Sequence, residues 1–506
     1  TQVRDYISSP LALYSLLDKP NSLLLESAEI DSKDSVKSLI LVDSALRIVC
    51  QGKQVTLTAQ SNNGKQLLPY LQTHVQNCSA ELVEDTLTLT YNEVVSDIDE
   101  ASKLVADNAF SALRSCINSI KSTTDNPFSV FLGGVFAYDM VANFETLSDV
   151  PDGENSCPDY VFYLAETLVV IDHQAKTTEL IGNVFNGPEV HANCFEVGQQ
   201  LERLNAVCDN AQSYQGQKQA GSNPISVDVS DEQYCEHVIK LKNNIVDGDI
   251  FQVVPSRTFS LACPDSLHAY SQLKQQNPSP YMFYMRDEDF VLFGASPESA
   301  LKYCAESKQV EVYPIAGTRP RGKFANGQIN PDLDSRIELE LRNDQKERAE
   351  HLMLVDLARN DVARISVPGT RHAKELLKVD RYSQVMHLVS RVVGTLKPEL
   401  DALHAYQACM NMGTLVGAPK VRAAELVRQT EQKRRGSYGG AVGYLTGDGA
   451  MDSCIVIRSA FVKNGTAYVQ AGAGVVFDSD PQSEANETRA KAQAVITAIQ
   501  STYEAQ

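Results

Sequence analysis

The sequence predicts an α+β fold, and three observations support this prediction. The composition is that of a folded chain, with 43% hydrophobic and 22% charged residues among 506. Asn464-Gly465 separates two apolar runs, Cys454–Val462 and Thr466–Gln470, as the turn of a β-hairpin does. Strand-like and helical runs occur in blocks rather than in strict alternation, which favours α+β over a doubly wound parallel sheet.

In the first part of the chain we expect a hairpin, a helical stretch and a linker. Leu39–Val42 and Val55–Leu57 flank a turn at Gln51–Gln54, and the helical stretch follows at Ala101–Lys121. Residues 209–223 are polar, rich in Gln, Gly, Ser and Asn, and lack periodicity. They are therefore predicted to form a linker.

In the second part a helix is predicted from Asp231 to about Gly248, before the strand Ile250–Val254. A second hairpin is expected where Tyr281–Met285 and Phe290–Phe293 flank a charged turn. Its second strand leads directly to Glu298.

Arg458 is a charged residue inside the apolar run of the last hairpin. If Asn464-Gly465 is a two-residue loop, the ladder continues until Arg458 faces Ala471, beside Gly472–Gly474. An unpaired buried charge is costly, so Arg458 must meet either an internal acid or the carboxylate of a ligand. The residues alone leave both partners open.

The charge balance and the cysteines exclude several classes of protein. With 45 Lys+Arg against 64 Asp+Glu the net charge is −19, so no nucleic-acid partner is expected. The 11 cysteines include no C-x-x-C pair, which fits a reducing compartment. Thr1–Pro20 has no long apolar stretch, and apolar runs such as Leu168–Ile171 are strand-sized. We therefore expect neither a signal peptide nor a membrane span, and a cytoplasmic location.

Two pairs of glutamates, each three residues apart on a predicted helix, present carboxylates together: Glu347 with Glu350, and Glu484 with Glu487. Ser483 is the expected N-cap of the second helix. Mg²⁺ prefers oxygen ligands and keeps several waters, so one or two carboxylates from separate elements suit it. The alternative is two solvated helix faces with ion pairs such as Glu487 with Lys491.

Three glycine-rich segments, Gly413–Lys420, Gly436–Gly440 and Gly472–Gly474, match neither the phosphate loop nor the dinucleotide fingerprint. They are either turns or stretches of exposed N–H groups that can hold an anion. His387 lies in the apolar segment Val385–Val389, where a lone histidine is more often a satisfied core residue.

Seven segments together resemble the chorismate-utilising enzymes, and among them the anthranilate synthase large subunits. They are Pro314–Gly322, Glu350–Asp361, Asp380–Ser390, Gly413–Lys420, Arg435–Tyr444, Gln470–Gly474 and Glu484–Thr488. The resemblance implies two large, mostly antiparallel β-sheets packed as a sandwich with helices on the outside. It also implies an N-terminal regulatory portion over residues 1–223, packed against or interleaved with a catalytic domain over residues 224–506.

The implied reaction starts tryptophan biosynthesis. Ammonia adds to the ring of chorismate with loss of the ring hydroxyl, which gives aminodeoxyisochorismate, and elimination of pyruvate leaves anthranilate. The alternatives are an aminodeoxychorismate synthase component and a non-catalytic regulator that binds chorismate or tryptophan. Gln252 replaces the Lys of water-using relatives, and Ala316 the nucleophilic Lys of aminodeoxychorismate synthases, so both favour anthranilate synthase. Val416 departs from the small polar residue expected there.

The resemblance also implies roles for individual residues. Mg²⁺ is expected on Glu350 and Glu487, with Glu347 and Glu484 in a supporting role. The expected catalytic residues are His387 for proton removal in the elimination, Glu298 as general acid towards the departing hydroxyl, Thr414 and Gln252. The expected substrate-binding residues are Gly317, Thr318, Tyr438, Arg458, Gly472, Ala473, Gly474 and Lys491.

Regulation and partners are implied in the same way. Tryptophan is expected as a feedback inhibitor bound by Glu26, Ser27, Pro280, Tyr281 and Met282, with the hairpin that leads to Glu298 coupling this site to the ring site. No glutaminase motif is present, so ammonia is expected from a glutamine amidotransferase subunit, in a heterotetramer of two large and two small subunits. The chain has no tryptophan, which suits an enzyme made when tryptophan is scarce.

Overall fold

The computed structural model describes residues 1–27, 36–92, 98–382 and 384–504. The described elements of the first part, in chain order, are β1 Gln2–Asp5, α1 Pro10–Leu17, β2 Ser22–Glu26, β3 Lys37–Gln51, β4 Gln54–Ala59, α2 Asn62–Lys65, α3 Leu67–His74, β5 Cys78–Val83, β6 Thr86–Tyr91, α4 Glu100–Val105, α5 Phe110–Ser119, β7 Phe131–Phe136, β8 Tyr160–Asp172, β9 Thr177–Gly182 and α6 Val190–Cys208. Short 3₁₀ helices cover Pro127–Ser129 and Tyr138–Asn143.

The second part continues with β10 Ser226–Val227, α7 Asp231–Val246, β11 Gln252–Val253, β12 Ser256–Ala262, α8 Ser266–Gln276, β13 Tyr281–Arg286, β14 Val291–Ser296, β15 Ser299–Cys304, β16 Gln309–Val312, β17 Ile315–Pro320, α9 Pro331–Asn343, α10 Gln345–Ile365, β18 His372–Arg381, β19 Val385–Thr395, α11 Ala402–Cys409, α12 Gly413–Val416, β20 Gly417–Ala418, α13 Lys420–Glu431, β21 Ala441–Thr446, β22 Met451–Ile455, β23 Ser459–Lys463, β24 Thr466–Gly472 and α14 Pro481–Gln500.

Two long strands, β3 and β8, join two antiparallel layers into one hydrogen-bonded network. They pair with each other along their length, and the register shifts between Leu41 and Leu46, where β3 passes from one layer to the other. The first layer runs from β3 through β2, β13, β14, β23 and β24 to β12. The second runs from β8 through β7, β21, β22, β15 and β16 to β19.

Apolar side chains fill the space between the layers and both outer faces. Leu41, Phe131, Val161, Phe283 and Phe461 belong to the core between the layers. Helices α5, α10 and α11 cover the second layer, and α6, α8 and α14 cover the first. Removing these apolar surfaces from water is the main force that holds the layers together. The predicted α+β sandwich with outer helices is confirmed.

The N-terminal and C-terminal parts of the chain share both layers. β2 pairs with β13, which sets Glu26 opposite Met282, and β7 pairs with β21. Residues 209–223 contain no helix and no ladder strand apart from the bridge between Gln219 and Tyr503, as expected of a linker. Among the described residues, no helix combines the length and the apolar character needed to cross a bilayer.

The predicted hairpins are confirmed, and they close on the pairs Gln51–Gln54, Arg286–Val291 and Lys463–Thr466. Helix α7 also lies where it was expected. The two strands of the last hairpin, β23 and β24, also pair with β14 and β12. The tertiary structure therefore supports the hairpin that the local turn sequence predicts.

The helical stretch predicted at Ala101–Lys121 is confirmed and consists of two helices, α4 and α5. The Phe110 N–H donates to the Asn108 side chain (2.9 Å) at the start of α5. Two other local predictions are wrong. Helix α14 begins earlier than predicted, and its N-cap is Asp480 rather than Ser483. The run Cys454–Val462 is not one strand, because it is interrupted before Ser459.

The interruption lies at Arg458, whose φ of +48° ends the regular ladder. β23 pairs with β24 from Phe461 to Lys463, and Ala471 pairs instead with Arg257 of β12. The predicted pairing of Arg458 with Ala471 is therefore wrong, and the arginine lies in a break between two strands.

Candidate active site

Arg458 presents a guanidinium that has no partner within the part of the chain that the structure describes. Its side chain makes neither a hydrogen bond nor an ion pair with a described residue. Burial lowers the pKa of Arg458, and the nearby Glu298 carboxylate opposes this shift. Because no internal acid forms an ion pair with it here, the arrangement favours a ligand carboxylate as its partner.

Glu298 lies between β14 and β15 and is only 6% exposed. Thr414 of α12 donates a hydrogen bond from Oγ1 to Glu298 Oε1 (3.2 Å). Burial raises the pKa of Glu298 to about 8, against the hydrogen bonds from Thr414 and the Ile315 backbone and the charges of Lys491 and Arg458. The Glu298 carboxyl thus holds a proton near neutral pH, as a general acid must.

His387 on β19 is 2% exposed and lies opposite Thr318 of β17. Its Nδ1 is 2.9 Å from Thr318 Oγ1 in a hydrogen bond, whereas the buried Nε2 has no partner among the described residues. Burial, with a smaller contribution from Arg458, lowers the pKa of His387 to about 3. His387 is therefore a neutral imidazole, and it is not the fully satisfied core histidine that a lone histidine usually is.

Two glycines at the end of β24 leave room for neighbouring polar groups. A Cβ on Gly472 would lie 3.0 Å from the Tyr438 hydroxyl, and one on Gly474 would lie 2.5 Å from Gln252 Nε2. Gln252 Oε1 is buried without a partner in the described structure. Tyr438 is buried, and burial raises its pKa. These contacts bring Gln252, Tyr438 and the glycine segment together.

The segment between those glycines is held from both sides. Ala473 donates its N–H to the Pro255 carbonyl (3.2 Å), and Lys491 Nζ donates to the Gly472 carbonyl (3.0 Å). Lys491 also pairs with Glu487 (2.7 Å), which is the helix-face ion pair considered from the sequence. Lys491 therefore connects the glycine segment to the glutamates of α14.

The four glutamates come from two helices, with Glu347 and Glu350 on α10 and Glu484 and Glu487 on α14. Burial raises the pKa of Glu350 to about 7, and the charges of the other three glutamates add to the rise. Glu347 pairs with Arg319 (2.9 Å). Within the described ranges, no three acids, histidines or cysteines converge in metal-binding geometry.

Gly317 connects the glutamates to the imidazole. Its φ is +79°, and a Cβ there would lie 3.1 Å from Glu347 Oε2 and 3.0 Å from Leu341. A hydrogen bond that the Gly317 backbone accepts from the His387 ring raises the pKa of His387, against the effect of burial. The glutamates, His387, Arg458 and Glu298 therefore form one continuous site.

Of the expected tryptophan-binding residues, Glu26 lies on β2, and Tyr281 and Met282 lie on β13. Glu26 and Met282 are opposite each other. Glu26 accepts hydrogen bonds from Tyr270 Oη and Lys274 Nζ, both at 2.7 Å. Tyr281 donates to Asp452 (3.3 Å). Ser27 directly follows β2, and Pro280 directly precedes β13.

Sequence reasoning missed Arg435, which supports Tyr438. Arg435 is 1% exposed, pairs with Glu431 (2.7 Å) and lies over the Tyr438 ring at 5.5 Å. It also donates to the carbonyls of Leu415 (2.8 Å) and Val254 (2.6 Å). The i, i+4 spacing of Glu431 and Arg435 is the local signal of this buried pair.

Several proteins of known name are similar to this chain. Anthranilate synthase component 1 of Vibrio parahaemolyticus is 58% identical over 502 residues, which cover 98% of this chain and 92% of that protein. The Escherichia coli protein of the same name is 53% identical over 511 residues, with 99% and 96% coverage.

Solved structures agree with the fold. Anthranilate synthase component I of Streptococcus pneumoniae matches with a TM-score of 0.70 and 29% identity, covering 92% of this chain and 93% of that chain. The menaquinone-specific isochorismate synthase of Escherichia coli matches with a TM-score of 0.68 at 15% identity, covering 98% and 94%, and supports the fold alone. The model of the chorismate binding enzyme family matches residues 72–497. This chain therefore belongs to the chorismate binding enzyme family.

Proposed function

We propose that this chain makes anthranilate and pyruvate from chorismate and ammonia, the first step of tryptophan biosynthesis. The observation that carries the proposal is the meeting of Arg458, Glu298 and His387, since Arg458 acts on the pKa of both other groups. The similarity to anthranilate synthase component 1 proteins, at 48–58% identity, supports the same reaction.

In the first step ammonia would add to the ring while the ring hydroxyl leaves. Glu298, protonated near neutral pH, would donate its proton to the departing oxygen, and Thr414 would orient the carboxyl. Gln252 is neutral and cannot activate water as a base, so ammonia is the better-matched nucleophile. Gly317 and Thr318 would line the ring.

In the second step the enolpyruvyl group would leave as pyruvate. His387 would remove the ring proton through Nε2, with Nδ1 held by Thr318. Arg458 and Tyr438 would hold the enolpyruvyl carboxylate, together with backbone groups of Gly472–Gly474. The lack of a hydrogen-bond or ion-pair partner for Arg458 among the described residues supports this role.

The glutamates fit a magnesium site by the chemistry of their donors. Glu350 and Glu487 would hold Mg²⁺, with Glu347 and Glu484 in support, and the repulsion that raises the pKa of Glu350 would be relieved by a cation. Bound Mg²⁺ neutralises the negative charge of a substrate carboxylate. Glu347 and Glu487 would exchange Arg319 and Lys491 for the metal.

The partner and the inhibitor belong to the same proposal. A glutamine amidotransferase subunit would supply ammonia within a heterotetramer of two large and two small subunits, and the "component 1" names of the relatives support a second component. Tryptophan would bind Glu26, Ser27, Pro280, Tyr281 and Met282. The N-terminal portion over residues 1–223 would carry regulation, and residues 224–506 the chemistry.

The fluorescence of anthranilate tests the proposal directly. The purified chain with chorismate, Mg²⁺ and ammonium is expected to produce it, whereas glutamine in place of ammonium is expected to give none without the second subunit. Folded protein that forms no anthranilate would favour a non-catalytic regulator. Aminodeoxychorismate as the product would favour the other synthase, although Ala316 lacks the nucleophile for that chemistry.

A further inference from the structure

Two neighbouring cavities lie beside α10, and the inner one is lined by Glu298. The outer cavity, of about 260 Å³, is lined by Leu104, Val141, Asn411, Val421 and Ala424 among others. The inner cavity, of about 20 Å³, is lined by Glu298, Thr414, Tyr313, Leu354 and Ala358 among others. Both cavities share the side chains of Leu357 and Asp361, which therefore stand between them.

Asp361 is a buried acid that the proposed reaction does not use. It is 8% exposed and accepts a hydrogen bond on Oδ2 from Lys420 Nζ (2.5 Å), which also donates to the Cys409 carbonyl (2.7 Å). Its Oδ1 makes no hydrogen bond to a described residue. Burial raises the pKa of Asp361, against the charges of Lys420 and Arg364.

The lining of the outer cavity is mostly apolar, and its charged side chains are the groups that can hold water. Asn411 is 4% exposed, and its Oδ1 has no partner within the described structure. The charged groups along this cavity are Glu100, Lys103, Glu145, Asp361, Arg364 and Lys420. Buried polar atoms without a protein partner are normally satisfied by ordered water.

The two cavities approach the site from a side that the substrate carboxylates do not occupy. Neither cavity is lined by Arg458, Tyr438 or Gly472–Gly474, nor by the four glutamates. From the assigned site they meet only Glu298 and Thr414. The inner cavity has room for about one water, and the first proposed step releases one water beside Glu298.

We propose that the inner cavity receives the departing hydroxyl as water, and that Asp361 and the water of the outer cavity carry that water out and return a proton to Glu298. This inference rests on the proposed function. It makes Asp361 a positioning and relay residue for the first step, since it reaches the substrate only through Glu298 and water.

The step is balanced as follows. The C–N bond to ammonia forms while the ring C–O bond breaks, and the Glu298 proton joins the leaving hydroxyl to give water. The new ammonium group loses one proton to solvent. Glu298, now a carboxylate, regains one proton through water and Asp361, so chorismate and ammonia give aminodeoxyisochorismate and water with no other reactant.

The test compares Asp361→Asn with Asp356→Asn, an exposed aspartate on the same helix. The amide keeps the shape of the side chain and can still accept from Lys420, but it cannot relay a proton. We expect formation of aminodeoxyisochorismate from chorismate and ammonium to fall about tenfold or more in Asp361→Asn, with a larger solvent deuterium isotope effect. Elimination from supplied aminodeoxyisochorismate is expected to match wild type.

Each other outcome contradicts the relay. Unchanged rates in both steps, or equal losses in both, would overturn it. Ala424→Phe, which fills the outer cavity, gives a second test against Ala192→Phe on the exposed face of α6, and the same selective loss is expected. If the wild-type chain makes no anthranilate, the proposed function itself fails, whereas an active wild type with unselective variants refutes only the relay.

Discussion

Arg458 combines a left-handed backbone, a partly buried side chain and the lack of an ion-pair partner among the described residues. Its φ of +48° costs the backbone free energy, on the order of 1 kcal/mol or more. Burial disfavours its charge, since it lowers the pKa of the guanidinium. Both costs are explained if the guanidinium is positioned to bind the carboxylate of a substrate.

Replacing Arg458 with Ala is expected to weaken chorismate binding. A charge-assisted hydrogen bond contributes about 1.5–3 kcal/mol, so the KM for chorismate should rise on the order of 10- to 100-fold, with a smaller change in kcat. Steady-state kinetics measure both. Arg336→Ala, which removes an exposed ion pair on α9, is the matched control. Unchanged chorismate kinetics in the Arg458 variant would refute the assignment.

The proposed role of Glu298 as general acid predicts how the rate of the first step depends on pH. Its acid form is the active one, and with the pKa raised to about 8 that form is lost as pH rises through this value. The rate of aminodeoxyisochorismate formation at saturating ammonia should therefore fall above about pH 8, and Glu298→Gln should abolish the fall together with about 100-fold or more of the rate. Elimination from the supplied intermediate is the internal control. A rate that keeps rising beyond pH 9 would contradict the role of Glu298.

The β13–β14 hairpin is the element that connects the candidate tryptophan site to Glu298, the proposed general acid. Met282 faces Glu26 on one side, and Tyr281 pairs with Ser296, two residues before Glu298. A shift of this hairpin between two packings would reach Glu298 directly, which is the kind of element that allosteric coupling requires.

Met282→Ala is expected to raise the tryptophan concentration that gives half inhibition by about tenfold, which corresponds to about 1.4 kcal/mol of coupling. Met285→Ala is the matched control, because Met285 is an equally buried methionine on the same strand but lies opposite Leu23. Both variants lose core packing, so they should differ only in that Met282→Ala loses sensitivity to tryptophan. Full tryptophan sensitivity in Met282→Ala would place the inhibitor elsewhere.

Local sequence signals predicted helices and strands well where no tertiary contact overrides them. Asn464-Gly465 closes its hairpin with the expected pair Lys463–Thr466 because the turn residues tolerate positive φ. The break at Arg458 could not be predicted, since its cause is tertiary: β23 leaves the β22 direction to pair with β14.

The candidate site also combines features set by local sequence with features set by the tertiary structure. The helix faces that carry the glutamates follow from spacing, whereas their approach to one another depends on how α10 and α14 are placed by different layers. The ion pair of Asp361 with Lys420 joins two recognised segments, yet no local pattern indicates that their ends meet. The unsatisfied Nε2 of His387 likewise depends on the surrounding strands.

At the scale of the whole molecule, the four glutamates come from helices that cover different layers. Helix α10 packs on the second layer and α14 on the first, and the charges of Glu484 and Glu487 still act on the pKa of Glu350. Their mutual repulsion raises the pKa of Glu350. A bound divalent cation would replace this repulsion by attraction and would hold the layers together at the site.

Thermal unfolding tests this account of the glutamates. The folded-state pKa of Glu350, about 7, lies above that of an unfolded glutamate, so its contribution to stability is lost as pH rises from about 4.5 to 7. At pH 8 without metal, Glu350→Gln should therefore have a higher Tm than wild type, by about 2 °C or more. Mg²⁺ should raise the Tm of wild type but much less that of the variant. Glu340→Gln on α9 is the control variant. An equal rise in Tm with Mg²⁺ in wild type and in Glu350→Gln would contradict a metal site at these glutamates.

The central claim is that this chain joins the nitrogen of ammonia to the ring of chorismate and releases pyruvate. Incubation with chorismate, Mg²⁺ and ¹⁵N-labelled ammonium, followed by mass spectrometry, measures both products at once. We expect anthranilate that carries the label, with one pyruvate formed for each anthranilate. Consumption of chorismate without labelled anthranilate, or labelled aminodeoxychorismate without pyruvate, would contradict the account.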